Sequence, residues 1–231
     1  MFLNDAEIIS PHPKLQLFHW CCQQMTNGTK CQYGGCHHPV EADGLCIFHL
    51  PKPTLEEKQK MSPDQRQAAE QTEATFREKF FSLLESLEND PQVEVCDLRG
   101  FYFPSLDCGG KTFSKPIYFA SATFSGETRF LDATFSGEID FFDASFSGET
   151  SFDGATFNEK AYFSHATFSG ETSFSYATFN NKAYFSYATF SGASFHGATF
   201  SGEAYFNRPT FNDRAYFWDA TFSGETSFDG A

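Results

Sequence analysis

Positive charge is scarce in this chain: 16 Lys and Arg stand against 30 Asp and Glu over 231 residues, a formal net charge of -14. So acidic a chain repels phosphate backbones and anionic headgroups, which argues against non-specific attraction to nucleic acid or to an anionic membrane. Long apolar runs are missing too. No stretch is apolar enough to span a bilayer, and the start, MFLNDAEIIS, lacks both the positive charge and the apolar run of a secretory signal. These absences make a cytoplasmic, soluble chain with no membrane segment the expectation. Nor does the sequence single out paired carboxylates, a nucleophile with its base, or a phosphate-cradling glycine loop. A non-enzyme is therefore expected.

What is abundant is phenylalanine, 31 of 231 residues, and its placement is periodic. From Ala122 the chain reads ATFSGETRFLD, ATFSGEIDFFD, ASFSGETSFDG, ATFNEKAYFSH and ATFSGETSFSY, and such repetition implies stacked, near-identical elements. Successive Phe residues from Phe113 to Phe168 alternate six and five apart, whereas Phe185, Phe190, Phe195 and Phe200 are all five apart. The ten-residue unit ATFSGASFHG, Ala188 to Gly197, therefore shows that the unit is five. An eleven is two fives with one residue added after SG, NE or NN, where Gly and Asn mark a corner able to absorb it.

Each five reads small, polar, Phe, polar, polar, with Ala or Thr two residues before Phe. In an extended backbone, residues two apart share a face, so the small residue and Phe point one way and the residue between them the other. A five-residue segment cannot bury a Phe alone, but stacked coils can, each ring lying on the ring of the next coil. Units of like kind recur at about 22 residues, KAYF at Ala155 and Ala177 being separated by an ETSF unit. That is four sides per coil. Roughly six coils at ~4.8 Å would form a rod of about 30 Å.

The segment CDLRG, Cys96 to Gly100, followed in step by FYFPS and by the Phe-centred units, resembles the pentapeptide-repeat family over roughly Cys96 to Ala231. The resemblance implies a mainly β fold, a right-handed four-sided parallel β-helix, with one pentapeptide per side and the small residue and Phe inside. Thr replaces the usual Asp or Asn at the second position of most units. The expected organisation is an amino-terminal segment 1–20, a small zinc-binding module 21–51, a helical linker and cap 52–91, and the β-helix 95–231.

Seven cysteines are present, most of them before residue 50. Cys31, Cys36, Cys46 and His49 give C-x4-C-x9-C-x2-H, with Gly34, Gly35 and Gly44 available for tight turns. Three thiolates and an imidazole form an ordinary tetrahedral zinc shell, and in so short a segment the metal would supply the folding free energy. Cys22 is an alternative to Cys36, and His37 and His38 are further donors. A disulfide framework and metal-free cysteines are the rival readings. The closed spacing argues against a catalytic zinc despite nearby Glu41 and Asp43. The segment is also similar to the small zinc-binding module, ending in CIFH, that precedes pentapeptide repeats in some microbial proteins.

TLEE from Thr54 and SPDQ from Ser62 read as helix capping boxes. Phe76, Phe80, Leu83, Leu84 and Leu87 then recur at helical spacing until Pro91. The helix is expected to cover the open edge of the first coil, with a partner-binding or coiled-coil helix as the rival. At the other end the chain stops at SFDGA with no closing element. This predicts that the chain is part of a longer protein, the favoured reading, or that two rods pair end to end.

On the rod, Tyr162, Tyr184 and Tyr205 each precede a Phe and recur one coil apart, which predicts an outward ladder flanked by Lys160 and Lys182. Tyr216 is assigned to an adjacent side, and His165 and His196 to solvated positions. The ladder either stabilises its wall or offers a flat aromatic patch to a protein partner. The leading function is thus a rigid protein-interaction scaffold. The alternative resembles the gyrase-protecting members of the family, acidic rods that imitate DNA and bind proteins such as a topoisomerase. Glu127, Glu138, Glu149, Glu171 and Glu225 fall at the insertions, but with Lys160 and Lys182 among them no acidic ladder is expected. Direct nucleic-acid binding by the cysteine module ranks below both, since Lys30 is nearly alone there.

Overall fold

The computed structural model describes residues 36, 38, 40–42 and 45–231. The segment 1–20, Cys22, Cys31 and His37 lie outside the described residues. The chain divides into two compact units, Met1–Leu50 and Pro51–Ala231. In the first, the strand Val40–Ala42 pairs antiparallel with Leu45–Cys46. A single turn follows, in which the Cys46 carbonyl accepts from the amides of His49 (3.0 Å) and Leu50 (2.9 Å).

The second unit opens with two helices, α1 (Leu55–Lys60) and α2 (Pro63–Asn89). Both capping boxes form. The Glu57 amide donates to Thr54 Oγ1 (3.3 Å) and the Thr54 amide to Glu57 Oε2 (2.8 Å); Ser62 and Gln65 repeat the exchange at 3.3 and 2.9 Å. Each satisfies two otherwise orphaned amides of a first turn. Phe76, Phe80, Leu84 and Leu87 are buried along one stripe of α2, while Leu83 is half-buried beside it. Phe76 and Phe80 meet Phe103 of the first coil edge-on, with centroids 5.5 and 5.2 Å apart. The helix is thus a cap on the tube, as its stripe implied.

From Cys96 the chain winds through strands mostly of two residues in about six turns, four walls to a turn, all pairing parallel. One wall aligns Thr112, Thr134, Thr156 and Thr178, a repeat of 22 residues. The next begins at Cys96–Asp97 and runs through Ile117–Tyr118 to Thr226–Ser227. The third aligns Thr123, Ser145 and Thr167, and the fourth Thr128, Thr150 and Thr172. Like stacks on like because only that register keeps every Phe inside, a one-residue slip turning each side chain to the other face.

The interior is a column of phenylalanines. Phe157, Phe179 and Phe200 lie parallel on successive coils with centroids 4.5 and 4.7 Å apart. Between walls the rings meet edge to face, as in Phe152 against Phe163 at 5.4 Å and 80°. Both arrangements suit the ring quadrupole, and each pair adds about 0.5–1.5 kcal/mol to the area buried. Ala fills the small position on two walls and shares it with Ile on the Cys96 wall; on the Thr128 wall Thr mostly does so, its hydroxyl donating to a glycine carbonyl two residues back, as Thr172 does to Gly170 at 3.3 Å.

Corners come in two kinds. After the second Phe of an eleven the chain makes a hydrogen-bonded turn, Ala133 amide to Phe130 carbonyl at 3.1 Å, with Asp132 at φ 54°. This is the positive φ that a type II turn requires. The other corner carries the added residue, and there Gly148 and Gly170 are required for a different reason: a Cβ on Gly170 would come within 2.5 Å of the Gly148 backbone one coil below. At the ten-residue unit the missing residue is absorbed locally. The strand Thr167–Ser173 pairs with Thr189–Ser194 through one irregularity between Phe168 and Glu171, and the aligned ladder resumes with Glu171 opposite Gly192. The five is therefore the structural unit. In the last turn Phe211, Phe217 and Phe222 are half-buried and Phe228 is 42 % exposed.

Candidate functional site

The turn after Leu45–Cys46 swings the His49 ring back over Cys46, bringing Nδ1 to 3.3 Å from Sγ. Cys36 Sγ lies 3.7 Å from Cys46 Sγ, and the ligand atoms of Cys36, Cys46 and His49 all fall within 4.8 Å of one another. Two thiolates on one tetrahedral zinc, at bonds of ~2.3 Å, stand ~3.8 Å apart. The trio therefore has the chemistry and the spacing of three corners of a zinc shell. The hydrogen bond to Cys36, with a smaller contribution from His49, pulls the Cys46 thiol down to about 3 against the opposing effect of burial. A thiolate is the form that ligates metal. Cys31, the fourth sequence candidate, lies outside the described residues. His38 is not in the trio and packs edge-on against Phe48 at 4.7 Å.

On the tube, Tyr118, Asp140, Tyr162, Tyr184 and Tyr205 align as the outward positions of one wall. Tyr162 stacks on Tyr184 at 4.9 Å and 4°, and Tyr184 on Tyr205 at 5.2 Å and 11°. All three are half-buried, each ring covering its neighbour. Lys160 and Lys182 precede this wall by one residue at the corner. Lys182 pairs with Glu203 at 2.7 Å, and the Tyr205 hydroxyl donates to the same carboxylate at 2.5 Å. Burial first, then the Glu138 carboxylate, pushes the Tyr162 phenol up; burial, then Glu203, does the same for Tyr205. These phenols stay protonated, the proton of Tyr205 being committed to Glu203.

The family profile described as pentapeptide repeats, in 9 copies, matches residues 112–156, 152–196 and 185–231, which together make up more than half of the chain. The chain belongs to the pentapeptide-repeat family. A comparison with curated proteins found no match. In this pentapeptide-repeat tube, three expectations require correction. Tyr216 aligns with Ser194 on the Thr128 wall, two walls on from Tyr205 and so opposite it, because the intervening wall is taken by Thr210–Phe211. His196 is half-buried rather than solvated and shares a 2.9 Å hydrogen bond with the Tyr176 hydroxyl, while exposed His165 stacks on Tyr187 at 5.0 Å. Third, Glu127, Glu149 and Glu171 do form a column. Each directly precedes the aligned Thr128, Thr150 and Thr172, whereas Lys160 and Lys182 belong to a different corner, with Glu138.

Sequence reasoning missed the most exposed aromatics. Tyr176 and Trp218 are 64 % and 68 % exposed, far more than the ladder tyrosines, and both sit at hydrogen-bonded corners. The signal was present: Tyr176 and Trp218 replace the small or polar residues found at equivalent corner positions, such as Gly154 and Asp153.

Proposed function

We propose that this pentapeptide-repeat protein is a non-catalytic, cytoplasmic scaffold that holds a protein partner on its tyrosine wall. The observation that carries this reading is the in-register stack of Tyr162, Tyr184 and Tyr205 on a rigid wall. Pre-ordered aromatic side chains lose little entropy on docking and are favoured at interface centres. Affinity capture from native cells with the wild type and with all three tyrosines changed to Ser tests it. Loss of specific partners from the variant supports the reading, and identical partner sets refute it.

Within this reading Cys36, Cys46 and His49, completed by Cys31, hold a structural zinc. The closeness of the three donor atoms supports this. Bound metal would supply the folding free energy of a segment too short for a core. Native mass spectrometry of the intact chain tests for one zinc, and a folded, metal-free amino-terminal unit would refute it. The Glu127, Glu149 and Glu171 column favours one second reading, a DNA-like acidic edge for a DNA-binding protein. Absence of topoisomerase inhibition by the purified protein would remove it.

A further inference from the structure

The Tyr176 corner differs from every other in what it exposes. The Tyr176 ring lies flat over Gly197 of the next coil, where a Cβ would come within 2.7 Å of the ring. Its hydroxyl is tied to His196 Nε2, so the ring is fixed as well as exposed. One coil further, the Gly197 amide donates to the Trp218 carbonyl at 2.7 Å, placing Trp218 above His196 on the same corner. Trp218 in turn is braced by Tyr216, with centroids 5.2 Å apart at 58°. Tyr176 and Trp218 thus occupy backbone positions two coils apart, ~10 Å, on a rigid edge, with the Tyr176 ring leaning over the intervening coil. Carboxylates line it: Asp132 and Asp219 are exposed at the same corner.

We infer that this corner binds a proline-rich segment of a protein partner, in the polyproline II conformation and flanked by basic residues. A polyproline II helix advances ~9 Å per turn of three residues. One turn of such a segment is therefore close to the separation of the Tyr176 and Trp218 backbone positions, so a short run of prolines can reach both side chains. Such a segment has a fully solvated backbone whose carbonyls seek donors, and aromatic-lined surfaces recognise it by stacking on the proline rings. The Trp218 indole N–H makes no hydrogen bond within the described residues and is exposed to donate one. Asp132 and Asp219 complement an Arg or Lys beside the prolines. Single-stranded nucleic acid also stacks on exposed rings, but a chain of net charge -14 repels it. This corner lies apart from the tyrosine wall, so either reading can fail and leave the other standing.

The test is calorimetric titration of the full chain with a synthetic decaproline carrying Arg at both ends. Saturable one-to-one binding is expected. Trp218→Ala and Tyr176→Ser should each weaken it at least tenfold, while Tyr184→Ser leaves it unchanged. Circular dichroism of each variant confirms that the tube is intact, as expected for exposed corner side chains. Three results would overturn the inference: no binding, equal binding of an Arg-flanked Gly-Ser peptide, or wild-type affinity in either corner variant. Binding of a single-stranded oligonucleotide at this corner in place of the peptide would overturn it as well.

Discussion

Glu88 of α2 accepts a 3.1 Å hydrogen bond from the Ser114 amide. In the coil above, the equivalent Ser136 amide donates to the Phe113 carbonyl at 2.8 Å. The carboxylate thus stands where the carbonyl of a preceding coil would stand, and the Ser114 hydroxyl donates to it as well. Lys115 returns the relation, its Nζ donating to the Leu87 carbonyl (2.7 Å) and the Asp90 carbonyl (2.5 Å) at the end of α2. Helix and tube each complete the other's unsatisfied end, which is how an open sheet edge is protected from pairing with other chains.

Changing Glu88 to Ala should therefore lower stability by about 1 kcal/mol, the exposure of the site reducing the usual worth, about 1.5–3 kcal/mol, of a hydrogen bond to a charged group. For a chain of this size that is roughly 2–4 °C per kcal/mol in a thermal melt. Added self-association, read by light scattering, is also expected from the freed edge. A melt and scattering profile identical to wild type would contradict the capping role.

Phe163→Ala removes a ring that stacks on Phe141 and Phe185 and meets Phe152 and Phe174 edge-on. The cavity should cost about 3–5 kcal/mol, read by denaturant unfolding. Tyr184→Ser on the outer face of the same wall should cost far less, about 1 kcal/mol, the scale of a cross-strand pair.

Insertion separates the two candidate repeat lengths. A Glu placed between Gly192 and Ala193 restores an eleven-residue unit at a corner that elsewhere holds that residue. Stability is expected to change by no more than about 1 kcal/mol, the usual tolerance of a surface loop. The same insertion between Thr189 and Phe190 turns Phe190 outward and should unfold the local coil, seen as lost amide protection.

The Cys46 thiol titrates at about 3 instead of the ordinary value near 9. Because the folded value is depressed, the stability this group supplies is complete above about 9. It is lost progressively as pH falls towards 3. Thiolate ultraviolet absorbance persisting at pH 5 in the wild type and falling in Cys46→Ser would match this. A Cys46 thiol that is fully protonated at pH 7 would contradict it.

Much of the tube was legible because Phe spacing and burial are the same fact: the five-residue recurrence of Phe185, Phe190, Phe195 and Phe200 left one way to bury every ring. Capping at Thr54 and Ser62 was legible because it is local. Placement around the perimeter was less so. Tyr216 was misassigned, and the Glu127 column overlooked, because both depend on which corner a residue occupies. The positive φ of His165, Tyr176 and Tyr187 was hidden, since corner geometry overrode side-chain preference there, whereas Gly154 and Gly197 announce the same turn. Glu88 could not be read as an edge cap from helical periodicity, which marks the buried face and says nothing of a residue at its margin. The cysteine trio was legible as a cluster, but its partners depend on spatial closeness that spacing alone leaves open.

The central claim is that four walls close each turn, so that Thr156 lies directly beneath Thr178. Thr156→Cys paired with Thr178→Cys, oxidised and mapped by peptide mass spectrometry, tests it most directly, since residues aligned on adjacent strands fall within disulfide reach. A 156–178 bridge formed in high yield with the fold retained is expected. A preference for bridging in a Thr156→Cys, Ser173→Cys pair, three walls on, would contradict the account.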